Sequence, residues 1–203
     1  MNNTQLEEIK PHPGYGVLNG YKNEHNGYEL ASILLDDAHS IMEWRNQQLD
    51  ALRQKTLLST SMQNDYFKKH VEAEFSKKEP DPILFRYTLD SKLIGYGGLV
   101  HIDWTHRIAE VSFLLETERS KNTAKYVEEF STFLGLLKKI AFERLGFHKL
   151  TTESYSHRQS HASTIENSGF KREGVLREHT IVNGNWTDAI LASCLKAEHD
   201  ARK

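Results

Sequence analysis

The chain has 203 residues, of which 38% are hydrophobic and 27% are charged, and its formal net charge is -2. These values are ordinary for one soluble domain that is long enough to bury a core. The charge gives no basic surface of the kind that binds nucleic acid or an anionic membrane, and no apolar run approaches the roughly 20 residues that span a bilayer. The single cysteine, Cys194, excludes an internal disulfide. Together with the polar N-terminal sequence, which lacks the features of a secretory signal, this favours the cytoplasm.

The chain begins with a polar stretch and then shows a folded pattern. Residues 1–26 are rich in proline and glycine, so we expect an N-terminal extension ahead of one domain over residues 27–198. Residues 28–35 predict a first strand. The helix after it has Ile41 and Trp44 on one face.

The middle of the chain alternates between strand and helix patterns. Thr60 and Gln63 have the spacing of a capping box, which predicts the start of a second helix. A polar loop over 116–124 then precedes a long amphipathic helix that Gly146 ends. The strands predicted around these elements cover residues 83–89, 93–104, 107–115 and 149–155.

The C-terminal block predicts a short helix followed by a hairpin. The helix ends at Ser168 and Gly169, and a strand runs from Phe170 to about Thr180. The dipeptide at 183–184 is Asn-Gly, which between two extended runs is the strongest local signal of a hairpin. The closing strand covers residues 186–195.

The element order, the phrase L-I-G-Y-G-G-L at residues 93–99 and the C-terminal block together resemble the GNAT superfamily of N-acyltransferases. The resemblance covers about residues 27–195. It implies an α/β fold in which a central, twisted, mainly antiparallel sheet is flanked by helices. It also implies acetyl-CoA as the acyl donor and an amine as the acceptor. No metal is expected, because His157 and His161 have the spacing of two helical ligands without a third.

On the cofactor side, the family holds the coenzyme A pyrophosphate with a glycine-rich loop, and the loop at 116–124 contains no glycine. A helix N-terminus still presents free N–H donors to a phosphate. The resemblance therefore implies that the pantetheine arm runs beside a strand and that the pyrophosphate contacts some of the polar residues near the helix start. The strand residues are Phe113, Leu114 and Leu115, and the polar residues are Arg119, Ser120, Lys121, Asn122, Thr123 and Lys125. The alternative for the polar group is a solvated loop.

Two carboxylates are candidates for taking the proton of the acceptor's ammonium group. Glu110 lies in the middle of a strand among apolar neighbours, where a carboxylate is costly unless it is paired or functional. Glu153 lies near the end of the strand at 149–155. The structural alternative for Glu110 is an ion pair with Arg107 or Lys149.

The family's general acid is a tyrosine in the helix before Gly-Phe, and that position falls on Ile165 here. The nearby side chains that can donate a proton are Tyr155, His157 and His161. We expect Tyr155 and His161 on the catalytic side, and His157 with Arg158 on the substrate side.

The first helix ends in Trp44-Arg45-Asn46, which resembles GNAT enzymes that acetylate nucleotide-linked amino sugars or the N-termini of ribosomal proteins. Trp44 and Arg45 are therefore expected to shape the acceptor pocket, with a packed Trp44 and an exposed Arg45 as the alternative. The first hypothesis is N-acetylation of a small-molecule amine, most specifically an amino sugar linked to a nucleotide. The alternatives are a protein N-terminal acetyltransferase and an inactive GNAT-like binding module. The only protein partner that we expect is a second copy of the chain, in a homodimer.

Overall fold

The computed structural model describes residues 14–202 and contains an eight-stranded sheet with helices on both faces. Residues 1–13 of the expected extension lie outside this range. The strands are β1 (Asn23–His25), β2 (Tyr28–Ser32), β3 (Ile83–Leu89), β4 (Lys92–Asp103), β5 (Ile108–Leu115), β6 (Lys149–Tyr155), β7 (Lys171–Val182) and β8 (Asn185–Leu195). The helices are α1 (Ala38–Gln47), α2 (Thr60–Tyr66), α3 (Thr117–Ser120), α4 (Thr123–Lys138), α5 (Gln159–Asn167) and α6 (Lys196–Asp200).

The sheet has the order β1-β2-β3-β4-β5-β6-β8-β7. Only the β5–β6 pair is parallel, and the other neighbouring strands are antiparallel. The expected α/β fold with a mainly antiparallel sheet is therefore confirmed. The C-terminal hairpin also forms as predicted, because Asn183 and Gly184 take φ values of 49° and 81° at the turn.

The two faces of the sheet bury different helices. The Phe113 ring stacks on Phe130 of α4, with centroids 4.5 Å apart. The next residue on β5, Leu114, points to the opposite face, because side chains alternate along a strand. On that face Tyr96, which pairs with Leu114, accepts a 2.7 Å hydrogen bond from Arg45 of α1. Residues on β5 thus point alternately toward α4 and toward α1.

The segment just before the expected domain packs into the core. Tyr15 and Leu18 are 1% and 0% exposed, and the Tyr15 hydroxyl accepts a 3.0 Å hydrogen bond from the Leu84 amide. β1 then pairs with β2. The described part of the expected extension, residues 14–26, is therefore joined to the sheet, because its few apolar side chains find a place in the core.

Other local predictions differ at element ends. The N-cap of α2 is Ser59, whose Oγ accepts from the Met62 amide at 3.2 Å, so the predicted capping box at Thr60 is wrong. Gln63 instead turns inward and donates to the Ala38 carbonyl. The predicted loop at 116–124 contains the short helix α3. Within residues 14–202, no helix is both long and apolar enough to cross a membrane.

Glycine at position 97 lets β4 approach β5 and α4 closely. A Cβ atom there would lie 2.2 Å from the Ser112 carbonyl oxygen and 2.8 Å from Phe133. Both distances are too short for a non-bonded contact, so the strand cannot accept a side chain without moving. A Cβ atom at Gly135 of α4 would have no atom within 4 Å apart from the backbone of its own helix.

We predict that Gly97→Ala lowers the free energy of unfolding by about 1–3 kcal/mol, as expected for an overpacked core. Gly135→Ala is the matched control and should raise it by about 0.5–1 kcal/mol, because glycine is unfavourable inside a helix. Thermal or denaturant unfolding measures both. Equal effects of the two substitutions would contradict this account of the packing.

Candidate active site

A cleft opens where β5 and β6 separate. The two strands pair only over three residues, Ile108–Glu110 with Lys149–Thr151. Beyond these residues β5 continues beside β4, and β6 continues beside β8. A cavity of about 470 Å³ lies in the gap, lined by residues from both strands. Its walls include the β5 residues Val111, Ser112 and Phe113 and the β6 residues Thr152, Glu153, Ser154 and Tyr155.

The two carboxylates expected to be catalytic meet at this cavity. Glu110 lies opposite Thr151, and Glu153 follows two residues later on the same face of β6. Nη2 of Arg53 lies 3.0 Å from Oε1 of Glu110 and 3.0 Å from Oε2 of Glu153. The structural alternative for Glu110 does not form with Lys149, which pairs with Glu173 at 2.7 Å.

Arg53 sits in the loop between α1 and α2 and compensates both negative charges. Burial alone would lower the pKa of its guanidinium, but the charges of Glu110 and Glu153 outweigh this and raise the pKa. The carboxylates are 21% and 16% exposed, so they are partly shielded from water. The Arg53 guanidinium therefore lies between two anions.

A histidine connects Glu110 to solvent. Nδ1 of His101 lies 3.0 Å from Oε2 of Glu110, and the histidine side chain is 65% exposed. The ladder between β4 and β5 is irregular between Val100 and Asp103, and His101 takes a φ of 49° there. In a regular strand His101 would point away from the face of Val100 and Glu110. The bulge thus turns its ring toward the carboxylate.

The expected acceptor-side residues take different positions. Arg45 lines the cavity and its guanidinium is held by Tyr96 at 2.7 Å and by Gln54 at 2.8 Å. Trp44 is 9% exposed and packs in the core, so it matches the packed alternative. Arg45 also borders a neighbouring cavity of about 400 Å³, which shares Tyr66 with the first.

A cluster from α4 and the start of α5 forms another wall. The Tyr126 hydroxyl lies 2.6 Å from Nδ1 of His161 and accepts a 3.1 Å hydrogen bond from Arg158. The His161 ring stacks on Phe130 at a centroid distance of 4.6 Å. Burial, followed by the charge of Arg158, holds the pKa of His161 well below its usual value. Burial raises the pKa of Tyr126 against the opposing effect of Arg158.

The remaining acid candidates lie nearby. Tyr155 lines the main cavity, and its ring stacks with that of His157 at 6.0 Å. His157 precedes α5, which begins at Gln159, so it does not share a helix face with His161 as the sequence spacing suggested. His157 borders instead a second cavity of about 310 Å³.

The second cavity adjoins the N-terminus of α4 and shares Arg158 and His161 with the first. Ser120 and Thr123 line this cavity, and both belong to the residues that were expected to contact the pyrophosphate. Asn122 is the N-cap and accepts from the Lys125 amide at 3.0 Å. The amides of Thr123 and Ala124 lie in the first helical turn, where no intrahelical carbonyl is available to them.

These features fit an anionic ligand at the helix start, because free amides and the helix dipole both favour negative charge. Two of the residues that were expected to contact the pyrophosphate form ion pairs with carboxylates. Arg119 pairs with Glu116 at 3.0 Å and with the buried Glu129, and Lys121 pairs with Glu118 at 2.6 Å. Lys125 is exposed in the first turn of α4. Phe113 lines the main cavity, and Leu114 and Leu115 are buried in the sheet.

Sequence reasoning missed three residues of the site. Arg53 lies in a loop without periodicity, so no pattern marks it. His101 depends on a bulge. Tyr126 stands in the first turn of α4, and its hydrogen bond to His161 joins residues 35 positions apart. The one available signal was the glycine-rich G-Y-G-G stretch shortly before His101, because glycine inside a strand often marks a bulge.

Comparison with known proteins agrees with this fold. The family model for the GNAT acetyltransferase domain matches residues 30–191. Spermidine N-acetyltransferase from Vibrio cholerae, in a complex with CoA and spermine, superposes with a TM-score of 0.73 at 19% identity, covering 86% of this chain and 99% of that one. A dodecameric structure of spermidine N-acetyltransferase from Vibrio cholerae superposes with a TM-score of 0.73 at 20% identity. It covers 88% of this chain and 99% of that one.

A probable GNAT acetyltransferase from Chromobacterium violaceum has a TM-score of 0.70 at 16% identity and covers 98% of both chains. No curated protein matches the sequence significantly. The structural likenesses establish the fold, and the family model covers most of the chain. The chain therefore belongs to the GNAT family of acetyl-CoA-dependent N-acetyltransferases.

Proposed function

We propose that the protein N-acetylates a small-molecule primary amine in the cavity between β5 and β6. The observation that carries the proposal is the meeting of Glu110 and Glu153 at one nitrogen of Arg53. Two half-buried carboxylates that bind a cation from the protein itself are suited to receive an ammonium group in its place. Acyl transfer to an amine requires removal of the ammonium proton, which a carboxylate beside the amine can accept.

In the mechanism that we infer, the ammonium group replaces the Arg53 guanidinium between the carboxylates. Glu110 takes the proton from the acceptor and passes it to His101, which lies 3.0 Å away and is exposed to solvent. Glu153 then keeps the nitrogen oriented. Nε2 of His179 lies 3.8 Å from Oε1 of Glu153.

The acyl donor supplies the thioester carbonyl that the amine attacks. The residues suited to hold it are those at the α4 N-terminus and along the open edge of β5. Beyond Glu110, one edge of β5 has no strand partner on the β6 side, so its backbone groups are available to a ligand. Thr123 and Ser120 border the adjoining cavity, where the amides of the helix start favour an anion.

For the acceptor, we propose an amino sugar linked to a nucleotide. Arg45 lines the same cavity as the carboxylate pair, and a guanidinium suits a phosphate. The adjoining cavity of about 400 Å³ gives room beyond the amine, with Tyr66 shared between the two. A polyamine has no anion for Arg45 to bind, and a peptide acceptor needs an open groove. The proposed homodimer remains a prediction that sedimentation can measure.

The first prediction concerns the base. Glu110→Gln should lower kcat at least about 100-fold, because the amide cannot accept the ammonium proton. The assay is thiol release from acetyl-CoA with a saturating amine. Glu24→Gln on β1 is a control, since Glu24 is 73% exposed and pairs only loosely with Lys22. An unchanged rate in Glu110→Gln would remove Glu110 from the mechanism.

A second prediction tests whether Arg53 competes with the acceptor. Arg53→Met removes the competing cation, so the KM for the free amino sugar glucosamine should fall about fivefold, as for an ion pair worth about 1 kcal/mol. Arg53→Lys keeps a cation in the loop and should leave KM close to that of the parent protein. Steady-state kinetics of the parent protein and the two variants measure these KM values. If KM rises in Arg53→Met, the guanidinium assists binding and does not compete.

A third prediction separates the acceptor classes. In a panel of a nucleotide-linked amino sugar, the free amino sugar, spermidine and an N-terminal peptide, the nucleotide-linked sugar should have the highest kcat/KM. Arg45→Gln should raise KM for that substrate and leave KM for the free sugar unchanged. A higher kcat/KM for spermidine or for the peptide would reject the sugar-nucleotide assignment. If no amine is acetylated and acetyl-CoA does not raise Tm, the inactive binding module becomes the better account.

A further inference from the structure

The position of the family's tyrosine acid is occupied by Ile165, which is 2% exposed and belongs to the core. One helical turn earlier on the same face of α5, His161 borders both cavities. We propose that His161 is the proton donor of the acyl transfer, and that Tyr126 and Arg158 position it by fixing which ring nitrogen carries the proton. This inference rests on the proposed function, since it requires a leaving group that takes up a proton.

In the proposed arrangement each group of the cluster has one hydrogen-bond role. A guanidinium only donates, so the Tyr126 oxygen accepts from Arg158 at 3.1 Å. The hydroxyl proton of Tyr126 then needs an acceptor, and Nδ1 of His161 lies 2.6 Å away. Nδ1 can accept only when the ring is neutral and its proton is on Nε2. In this arrangement the second nitrogen, Nε2, is an N–H donor, available to a molecule in the cavity.

The surroundings keep the ring in this state and in this place. The His161 ring is almost parallel to Phe130, with 4° between the planes and 4.6 Å between the centroids. Burial and the nearby Arg158 charge lower the pKa of His161, so the ring is neutral near pH 7. Burial also raises the pKa of Tyr126, so its hydroxyl keeps its proton. Tyr126 thus acts on the reaction through His161.

The proton transfers balance as follows. The Nε2–H bond of His161 breaks and its proton joins the sulfur that leaves the acyl group. At the same time the Oη–H bond of Tyr126 breaks and an Nδ1–H bond forms on His161. The negative charge ends on the Tyr126 oxygen, 3.1 Å from the Arg158 guanidinium, which stabilises it. The cluster is restored when Nδ1 returns its proton to Tyr126 and Nε2 takes one from solvent.

The first test reads the tautomer directly and does not depend on activity. In protein with ¹⁵N-labelled histidine at pH 7, the His161 signals should show an unprotonated Nδ1 and a protonated Nε2. Their assignment comes from comparison with His161→Phe, which keeps an aromatic ring on Phe130. In Tyr126→Phe the preference for one tautomer should be lost. A proton on Nδ1 in the parent protein, or an unchanged tautomer in Tyr126→Phe, overturns the positioning role.

The matched control is Tyr87→Phe. Tyr87 is fully buried, packs on Phe113 and Phe133, and donates a 2.9 Å hydrogen bond to the Glu129 carbonyl. The Tyr87→Phe substitution therefore removes a buried hydroxyl from the same aromatic cluster, and this hydroxyl is bonded to Glu129 and not to His161. The His161 signals and kcat should both remain those of the parent protein. A change in Tyr87→Phe equal to that in Tyr126→Phe would mean that both act through packing.

The second test is kinetic. His161→Phe should lower kcat about 100-fold and Tyr126→Phe about tenfold, each with little change in the KM of the amine. Thermal unfolding verifies that both variants fold. If Glu110→Gln abolishes acetyl transfer while His161→Phe does not, this inference fails and the proposed function stands. If the parent protein acetylates no amine, the proposed function fails, and the tautomer measurement still decides the role of Tyr126.

Discussion

The separation of β5 from β6 is the constraint on which the site depends. Three residue pairs join the strands in parallel, and each strand then follows its other neighbour. A sheet that stayed paired would satisfy its own backbone groups and leave no space. The separation leaves hydrogen-bonding groups of β5 facing a cavity, and it directs Glu110 and Glu153 from two strands toward one point. The proposed cofactor edge and the proposed acceptor pocket thus have a common structural origin.

The charges at this point are balanced by a residue from outside the sheet. Two partly buried carboxylates repel each other, and their burial is favourable only with a cation between them. Arg53 supplies that cation from a loop, and its side chain is 50% exposed. A loop residue can leave without disturbing the core, because the carboxylates are held by strands. The arrangement therefore supports the proposed exchange of Arg53 for the ammonium group of the acceptor.

The sequence predicted the fold better than it predicted the site, for physical reasons. The bounds of β3 and β6 follow from strand periodicity between turn residues, and Asn183-Gly184 determines its hairpin by conformation alone. In the sequence, Glu110 was marked by the cost of a carboxylate inside a strand, and Glu153 by its place near the end of its strand. Arg53 and His101 were not, since one lies in a loop and the other depends on a bulge. Such positions are determined by tertiary contacts that leave no local pattern.

The helix that carries the superfamily's C-terminal sequence pattern also explains why its usual acid can be absent. Ile165 and His161 are four residues apart on α5, so both project from one face of the helix. With Ile165 in the core, a donor one turn toward the helix N-terminus lies closer to the start of α4. There Tyr126 and Arg158 reach His161 from two elements. A histidine alone at this depth would be neutral without a defined tautomer. In the proposed site His161 is the donor and Tyr126 with Arg158 orient it, so three residues together take the part of the family's single tyrosine.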